Sequence, residues 1–269
     1  MKPAVVILSD CGLASVRFAQ MTGVIETLAP HTDVSAGSLV FEKNNIPQIS
    51  AYLFTAVPFW PAGTVFLSDA GEGKLIAVRL PSGTILIGPD NGFATVSVYS
   101  FGYDCAWEVS PEQFGSDSFA AARAAAALVS GLSPEQLGHR LEREDVFFFA
   151  VPQAKISDGK AEGEVTMLLK TFGNLTFSIA TDDFEKTGIV HGDTVEVTFT
   201  LDDQVIYREQ MTYQPSFGYV PEGAPVIFNG SAGYMDIGLN RKSFIDTCLP
   251  EILKAEDPGT YKVCIEKVR

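Results

Sequence analysis

The start of the chain constrains its fold more than any other stretch. Four apolar residues, Val5 to Leu8, are followed at once by Ser9, Asp10, Cys11 and Gly12. A short apolar run bounded by turn residues predicts a buried strand, and the amphipathic pattern after it predicts a helix beginning near Ser15. Asp10 then lies at the carboxyl end of a strand, where it can bind ligand hydroxyls or cap the helix.

The same pattern, an apolar strand followed by an acid and glycine, recurs about sixty residues later. Residues Thr64 to Asp69 again predict a strand that ends on an acid, and Gly71 and Gly73 follow it. In an open α/β sheet, ligands bind beyond the carboxyl ends of the strands. We therefore expect Asp10 and Asp69 to meet at one crevice.

The rest of the first half mixes helices with a hairpin. Pro81-Ser82-Gly83 separates two apolar runs and predicts an antiparallel pair, and Ser-Pro-Glu-Gln begins at both Ser110 and Ser133, a helix-start signal. Asn91 lies in a turn-forming stretch, Gly88 to Gly92, so it either shapes a tight turn or binds a ligand. The pattern predicts an α/β N-terminal domain over residues 1–150, with a mostly parallel sheet and flanking helices.

Composition changes after about residue 150, where short strands and turns replace the helices. Strands at this spacing predict a small, antiparallel, all-β barrel or sandwich over residues 151–269. Two glycine-rich turns within it carry Phe172, Asn174 and Ser231. Such turns are hairpin connections, or they hold a flat heteroaromatic ring by stacking and amide hydrogen bonds.

Charge and cysteine content exclude several classes of function. A net charge of -14 disfavours nucleic acid and anionic membranes as partners, which leaves a small molecule or a protein. The four cysteines and three histidines show no metal-ligand spacing, so no metal is expected. Without a predicted membrane span or signal peptide, we expect a cytoplasmic protein.

Taken in order, the motifs resemble one family. They are Ser-Asp-x-Gly from Ser9, Met-x-Gly-Val-Ile from Met21, Pro-x-Gly-Thr-Val from Pro61, Asp-x-Gly-x-Gly from Asp69, Gly-Pro-Asp-Asn-Gly from Gly88, Phe-Gly-Asn from Phe172, and Gly233-Tyr234. The S-adenosylmethionine hydroxide adenosyltransferases, which include a fluorinase and a chlorinase, are similar in these motifs and their spacing. The resemblance implies a homotrimer that binds S-adenosylmethionine between the N-terminal domain of one subunit and the C-terminal domain of the next.

The resemblance also implies roles for individual residues. Asp10 matches the carboxylate that holds the ribose hydroxyls, and Asp69 matches the acid of the set that organises water. The family positions that line the adenine site match Phe172, Asn174 and Phe217. Ser231 falls near the family position that contacts the methionine end of S-adenosylmethionine. The implied reaction is in-line displacement at the ribose C5′, in which water or another small nucleophile releases methionine.

Several positions depart from the family pattern. Lys74 stands where an arginine is expected, Phe114 replaces a histidine, and Lys170 replaces an acid. Further departures are Ser15, where a second acid is expected, Ala36 and Leu39, where an Asp and a His are expected, and Gly115-Ser116-Asp117 in place of Gly-Arg-Asp. These losses leave open a second interpretation, a catalytically silent protein of the same fold that binds S-adenosylmethionine or a nucleoside.

Overall fold

A computed structural model describes residues 3–11, 15–38, 45–255 and 258–268. Gly12 and Leu39, which the motifs above include, lie outside the described residues. The chain divides into two compact units, Met1–Val151 and Pro152–Arg269.

The first unit is built on a mixed sheet. Its strands are β1 Ala4–Ser9, β2 Asp33–Ser38, β3 Val65–Asp69, β4 Leu75–Arg79, β5 Ile85–Pro89, β6 Cys105–Glu108 and β7 Arg140–Leu141, and its helices are α1 Val16–Leu28, α2 Ile46–Ala56, α3 Thr95–Phe101, α4 Pro111–Phe114 and α5 Ala120–Val129. The strand order is β2-β1-β3-β5-β4-β6-β7. The pairings β2–β1, β1–β3 and β3–β5 are parallel, whereas β5–β4, β4–β6 and β6–β7 are antiparallel. The expectation of a mostly parallel sheet therefore holds for its first half only.

Strand β1 is buried on both faces, as its uninterrupted apolar run predicts. Val5 and Ile7 pack in one cluster with residues of α1 and α5. Val6 and Leu8 pack in the other, with residues of α2 and α3. The helices thus cover both faces of the sheet and leave the strand ends as the places where polar side chains can gather.

The predicted local features of this unit are present. Helix α1 begins after Ser15, whose hydroxyl accepts a hydrogen bond from the Arg17 N–H, so Ser15 and not Asp10 caps the helix. Strands β4 and β5 form the predicted hairpin. The second Ser-Pro-Glu-Gln stretch forms a 3-10 turn, Pro134–Gln136, which has the reciprocal capping-box hydrogen bonds.

The second unit is a closed β-barrel. Its strands are β8 Lys155–Ser157, β9 Lys160–Leu169, β10 Asn174–Ala180, β11 Thr194–Leu201, β12 Gln204–Gln214, β13 Pro225–Asn229, β14 Tyr234–Leu239 and β15 Lys262–Lys267, and its helices are α6 Thr181–Glu185 and α7 Phe244–Cys248. Seven strands run in the order β10-β14-β13-β12-β11-β15-β9, and the β9–β10 pairing closes the ring, with β8 added outside it on β9. The parallel pairing of β12 and β13 departs from the all-antiparallel expectation.

Both glycine-rich turns of the second half are hairpin connections. Residues 170–173 join β9 to β10, and residues 230–233 join β13 to β14. The core of the barrel consists of inward-facing aromatic and aliphatic side chains, among them Phe177, Phe199 and Phe244. A barrel filled in this way leaves no space for a ligand in its interior.

Candidate functional site

The two strand-end carboxylates of the first unit lie close together. Strands β1 and β3 are parallel neighbours in which Ser9 is paired with Asp69, so Asp10 directly follows the residue opposite Asp69. The Ser9 hydroxyl donates a hydrogen bond to Asp69 Oδ2 at 3.4 Å. The Cys11 thiol donates to Asp10 Oδ1 at 3.6 Å. The repeated strand-acid-glycine motif thus places two carboxylates at one edge of the sheet.

Arg17 is the partner of Asp69, and the sequence analysis did not identify it. Its Nε and Nη2 atoms donate to the two carboxylate oxygens of Asp69, forming a two-pronged ion pair. The Asp69 side chain is only 10% exposed and that of Arg17 is 33% exposed. The same Nη2 atom donates to the Ser118 carbonyl at 3.4 Å, which fixes the guanidinium on a second side.

Charge around Arg17 raises its pKa. The hydrogen bond to Asp69 is the largest cause, burial opposes it, and the charges of Asp69, Cys11 and Asp10 add to the increase. Arg17 therefore stays cationic beside Asp69. The sequence feature that could have identified Arg17 is the Ser15 cap, because it places Arg17 in the first turn of α1, near the strand ends.

Lys74, which stands at the position of the expected arginine, is used elsewhere. Its Nζ lies 3.4 Å from Glu108 Oε2, and both side chains are partly exposed. Strand β4, which begins one residue after Lys74, pairs with β6, which ends on Glu108. In this chain, the cation beside Asp69 thus comes from α1 and not from the loop after β3.

Phe114 and Asp117 have structural contacts. Phe114 is buried in the apolar cluster between the sheet and α5, and its carbonyl accepts a hydrogen bond from Arg123 Nε at 2.6 Å. Arg123 Nη2 also donates to Asp117 Oδ2 at 2.8 Å. Position 114 therefore supplies no imidazole to the Asp69 site, and Ser116 stands where the arginine of Gly-Arg-Asp is expected.

Asn91 connects two loops at the same edge of the sheet. Its Nδ2 donates to the Ala70 carbonyl at 3.0 Å, and its Oδ1 accepts a hydrogen bond from the Phe93 N–H at 3.2 Å. Gly71 is packed against this amide, because a Cβ there would lie 2.6 Å from Asn91 Nδ2. These contacts give Asn91 a structural role, and its contact with a ligand stays a prediction.

The second unit has an open cleft that brings together three of the predicted ligand-binding residues. It encloses about 400 Å³ and is lined by Lys170, Thr171, Phe172, Gly173, Asn174, Phe217, Leu239, Arg241, Lys242, Ser243 and Asp246. Phe172 is 70% exposed and Phe217 is 45% exposed, whereas Asn174 is buried. Exposed aromatic faces beside an amide suit a flat ring.

A glycine fixes the wall of this cleft. Gly173 has φ +71°, and a Cβ on it would lie 2.3 Å from the Ser243 Oγ. Its carbonyl accepts a hydrogen bond from the Ile245 N–H at 3.0 Å. The β9–β10 turn therefore lies directly against the segment that begins α7, and a side chain at position 173 would force them apart.

Ser231 does not line the cleft. It is exposed in the turn between β13 and β14, and its contact with a ligand stays a prediction. Near this turn lies a residue that the sequence analysis missed, Asp236, whose carboxyl group packs against Gly230. Burial raises the pKa of Asp236 to about 7, although the Thr176 hydroxyl, which donates to it at 2.6 Å, opposes the shift. A single acid in an apolar strand carries no signal of such burial.

Across the described residues, no three His, Cys, Asp or Glu side chains are grouped to hold a metal ion. No described helix has the length and apolar character required to cross a membrane. All four cysteines are free thiols.

Fold and site together define a two-part protein, an α/β sheet unit with an ion-paired carboxylate at its edge followed by a β-barrel unit with an open cleft. Family models for the S-adenosylmethionine hydroxide adenosyltransferase N-terminal and C-terminal domains match residues 5–138 and 166–248. The chain belongs to this family.

Relatives with assigned activities cover nearly the whole chain. A fluorinase of Actinopolyspora mzabensis is 27% identical, over 90% of this chain and 92% of its own. An (R)-S-adenosyl-L-methionine hydrolase of Thermus thermophilus is 30% identical, over 90% of this chain and 94% of its own. Because these two relatives have different activities, similarity to them does not select one reaction for this chain.

Solved structures share the fold. An uncharacterized conserved protein of Thermotoga maritima superposes with a TM-score of 0.82 at 24% identity, over 97% of this chain and 99% of its own. A conserved hypothetical protein of Thermus thermophilus gives a TM-score of 0.71 at 26% identity, over the full length of both chains.

Proposed function

We propose that this protein cleaves S-adenosylmethionine at the ribose C5′, displacing methionine with water or another small nucleophile. The observation that carries the proposal is the pair of strand-end carboxylates, Asp10 and Asp69, with Arg17 bound to Asp69. Family membership supports the choice of substrate.

In the proposed reaction, the nucleophile bonds to C5′ as the C5′–S bond breaks. The bonding electron pair returns to sulfur, so the cationic sulfonium leaves as the neutral thioether of methionine. When the nucleophile is water, the new C–O bond leaves an extra proton on the oxygen, which passes to solvent water, and the product is adenosine. When it is a halide, no proton is lost, and the site has only to remove the halide's hydration shell.

We assign Asp10 to the ribose hydroxyls and Asp69 to the nucleophile. A carboxylate has about four acceptor positions, so Asp69 can still accept a hydrogen bond from water after Arg17 has taken one on each oxygen. Taking a proton would weaken that ion pair. Asp69 therefore orients the nucleophile in this proposal and is not its general base.

The cleft of the second unit is assigned to the adenine ring. Phe172 and Phe217 would stack on the ring, and Asn174 would pair with its edge, while Ser231 would meet the methionine end. Asn91 would support the site indirectly, because its side chain holds the loop after β3 through the hydrogen bond to the Ala70 carbonyl. A domain boundary at residue 150, a homotrimer and a cytoplasmic location belong to the same proposal, and the free thiols support a reducing compartment.

The test is incubation of the purified protein with S-adenosylmethionine, with and without chloride, followed by chromatography for adenosine, 5′-chloroadenosine and methionine. Adenosine in both buffers is the expected result and identifies water as the nucleophile. A product that forms only with chloride assigns a halogenating reaction. Light scattering on the same sample measures the number of subunits.

Two variants test the site assignment. We expect Asp10→Ala to abolish turnover and weaken substrate binding, and Asp69→Asn to lower turnover with a smaller effect on binding. Asp104→Ala is the control, since Asp104 pairs with Arg79 on the surface of the same unit. Full activity in Asp10→Ala would overturn the role assigned to that carboxylate.

A silent binding protein is the second candidate, favoured by Phe114 in the core and by the Asp117–Arg123 pair. If this alternative holds, adenosine or S-adenosylmethionine raises the melting temperature while no product forms, because a ligand that binds only the native state stabilises it. Turnover of S-adenosylmethionine excludes it.

A further inference from the structure

The Asp236 carboxyl group fills a space beside the turn that joins β13 to β14. Residues 230–233 form this turn, and Asp236 lies just after it in β14. The carboxyl group is buried against Gly230: a Cβ on Gly230 would lie 2.6 Å from Cγ and Oδ2 of Asp236 and 2.7 Å from its Oδ1. The whole carboxyl group therefore lies against the first residue of the turn.

The other side of this carboxyl group meets β10. Thr176 is paired with Asp236 in the β10–β14 ladder, and its hydroxyl donates to Asp236 Oδ1 at 2.6 Å. The register of the ladder then shifts, and the next pair is Ala180 with Tyr234. Because regular pairing is interrupted between Asp236 and the turn, side-chain contacts contribute to holding the turn on the barrel.

Two neutral hydrogen bonds also hold the turn. The Tyr213 hydroxyl donates to Asn229 Oδ1 at 2.7 Å, and the Thr181 N–H donates to the Gly233 carbonyl at 2.9 Å. Burial raises the pKa of Tyr213 above its ordinary value, so this phenol stays neutral where Asp236 titrates. Of these three contacts, Asp236 is thus the one that changes charge near neutral pH.

The strands around Asp236 present neutral side chains to it. Thr176 lies opposite it on β10 and Phe228 on β13, and Tyr234, two residues away on the same side of β14, is the titratable one among them. The acids of the neighbouring helices α6 and α7 are exposed or paired with a cation; they are Asp182, Asp183, Glu185 and Asp246. A buried carboxyl group with such neighbours keeps its proton to higher pH, and burial raises the pKa of Asp236 to about 7.

We propose that the Asp236 carboxyl group is a proton-operated latch for the turn formed by residues 230–233. In its protonated form it fits between Thr176 and Gly230, and the turn stays closed against the barrel. In its ionised form it carries a charge that burial destabilises, so the turn opens and water solvates the carboxylate. Higher pH therefore opens the turn, and lower pH closes it.

The latch would control the position of Ser231, which lies in this turn. Because Ser231 is assigned above to the methionine end of S-adenosylmethionine, an open turn would remove that contact and weaken binding as Asp236 ionises. This consequence rests on the proposed function, whereas the latch itself does not.

Amide hydrogen exchange of the full chain, measured by NMR at about pH 6 and about pH 8, tests the latch. The reporters are the Gly230 N–H, which donates to the Tyr234 carbonyl at 2.8 Å, and the Gly233 N–H, which donates to the Gly230 carbonyl at 3.1 Å. After correction for the intrinsic pH dependence of exchange, we expect their protection to fall about tenfold at the higher pH, because opening the turn releases a proton that the closed turn binds.

The other glycine-rich turn of the barrel is the internal reference. The Gly173 N–H donates to the Leu169 carbonyl at 2.8 Å and should keep its protection at both pH values. An equal loss at Gly173 would report unfolding of the whole unit and would overturn the latch, and so would unchanged protection of Gly230 and Gly233.

Two variants identify the group responsible. Asp236→Asn replaces the carboxyl group with a neutral group of the same shape, and we expect it to abolish the pH dependence at both reporters. Asp182→Asn is the matched control, because Asp182 is an exposed acid next to Thr181, which also holds the turn, and it should keep the wild-type pH dependence. Circular dichroism checks that each variant is folded. If Asp236→Asn keeps the wild-type pH dependence, the proposal is wrong.

The KM for S-adenosylmethionine, measured at the same two pH values, separates the latch from the proposed function. A KM that rises with pH in the wild type but not in Asp236→Asn supports both. The expected exchange behaviour without any turnover supports the latch and contradicts the proposed reaction. Turnover with exchange that does not depend on Asp236 does the reverse.

Discussion

Two carboxylates with little exposed surface, one in each unit, differ in what stabilises them. Asp69 ends a strand and is paired with the Arg17 guanidinium through both oxygens. Asp236 lies within a barrel strand, where the Thr176 hydroxyl donates to it and burial raises its pKa to about 7. Burial disfavours the charged form of Asp236, and the Thr176 hydroxyl opposes this effect only in part. Asp69 has a guanidinium partner, whereas Asp236 has a hydroxyl partner and gains or loses its proton near neutral pH.

The largest expected effect comes from removing the charge of Asp236. Its raised pKa means that the folded state binds the proton more tightly than the unfolded state, so its contribution to stability is lost as the pH rises from about 4 to about 7. Asp236→Asn should remove this loss and raise the free energy of unfolding at about pH 8 by up to about 4 kcal/mol, at about 1.4 kcal/mol per pKa unit.

Urea denaturation at several pH values measures this effect. Asp182→Asn, at an exposed carboxylate of the same unit, is the control and should keep the wild-type pH dependence. If wild type and Asp236→Asn have parallel stability profiles over this range, Asp236 is not the group responsible.

Removal of the cation in the first unit is the next largest effect. Arg17→Ala leaves the largely enclosed Asp69 carboxylate without its partner and should destabilise the protein by about 2–3 kcal/mol, somewhat less than for a fully buried pair because Arg17 is one-third exposed. Adding Asp69→Asn should restore part of the loss, since the unpaired charge is then gone.

Arg208→Ala is the control for Arg17→Ala. Arg208 pairs with Glu196 at 3.6 Å on the surface, and its loss should cost less than about 1 kcal/mol. Equal destabilisation by the two alanine variants, measured by urea denaturation, would show that the Asp69 pair is no stronger than a surface pair.

Loss of the hydroxyl in the second unit should have a pH-dependent effect. Thr176→Val removes the hydrogen bond to Asp236, which should cost about 2 kcal/mol at about pH 8, where the carboxyl is mostly ionised, and less at about pH 5. Because that hydrogen bond lowers the pKa of Asp236, its removal should raise this pKa further. NMR titration of the carboxyl group measures the shift, and an unchanged pKa would contradict the prediction.

Loss of the Ser9 hydroxyl, which donates to Asp69 in the first unit, should have the smallest effect on stability. Ser9 donates to Asp69 at a long 3.4 Å, and Arg17 already satisfies both carboxylate oxygens. We expect Ser9→Ala to cost about 0.5–1 kcal/mol in urea denaturation, including the hydrogen bond that Ser9 Oγ accepts from the Cys11 N–H. A loss equal to that of Thr176→Val would remove the difference between the two carboxylates.

Local sequence patterns determined most of the elements. The apolar run at the N-terminus predicted β1, Ser15 predicted the start of α1, and Pro81-Ser82-Gly83 predicted the β4–β5 hairpin. These features depend on residues only a few positions apart, through side-chain burial, capping and turn conformation, so the sequence contains them directly. The acid at the end of each strand was visible for the same reason.

Only the tertiary structure decided which charged and polar groups surround the carboxylates of the two units. Arg17 and Asp69 are 52 residues apart in the chain. They meet because α1 packs beside strands that are joined by long-range pairing. Asp236 meets Thr176, 60 residues away in the chain, and Lys170 lies in the same cleft as Arg241 and Lys242, because β10 pairs with β14. The field at a carboxylate depends on all the atoms near it in space, and a pattern of neighbouring residues does not contain that information.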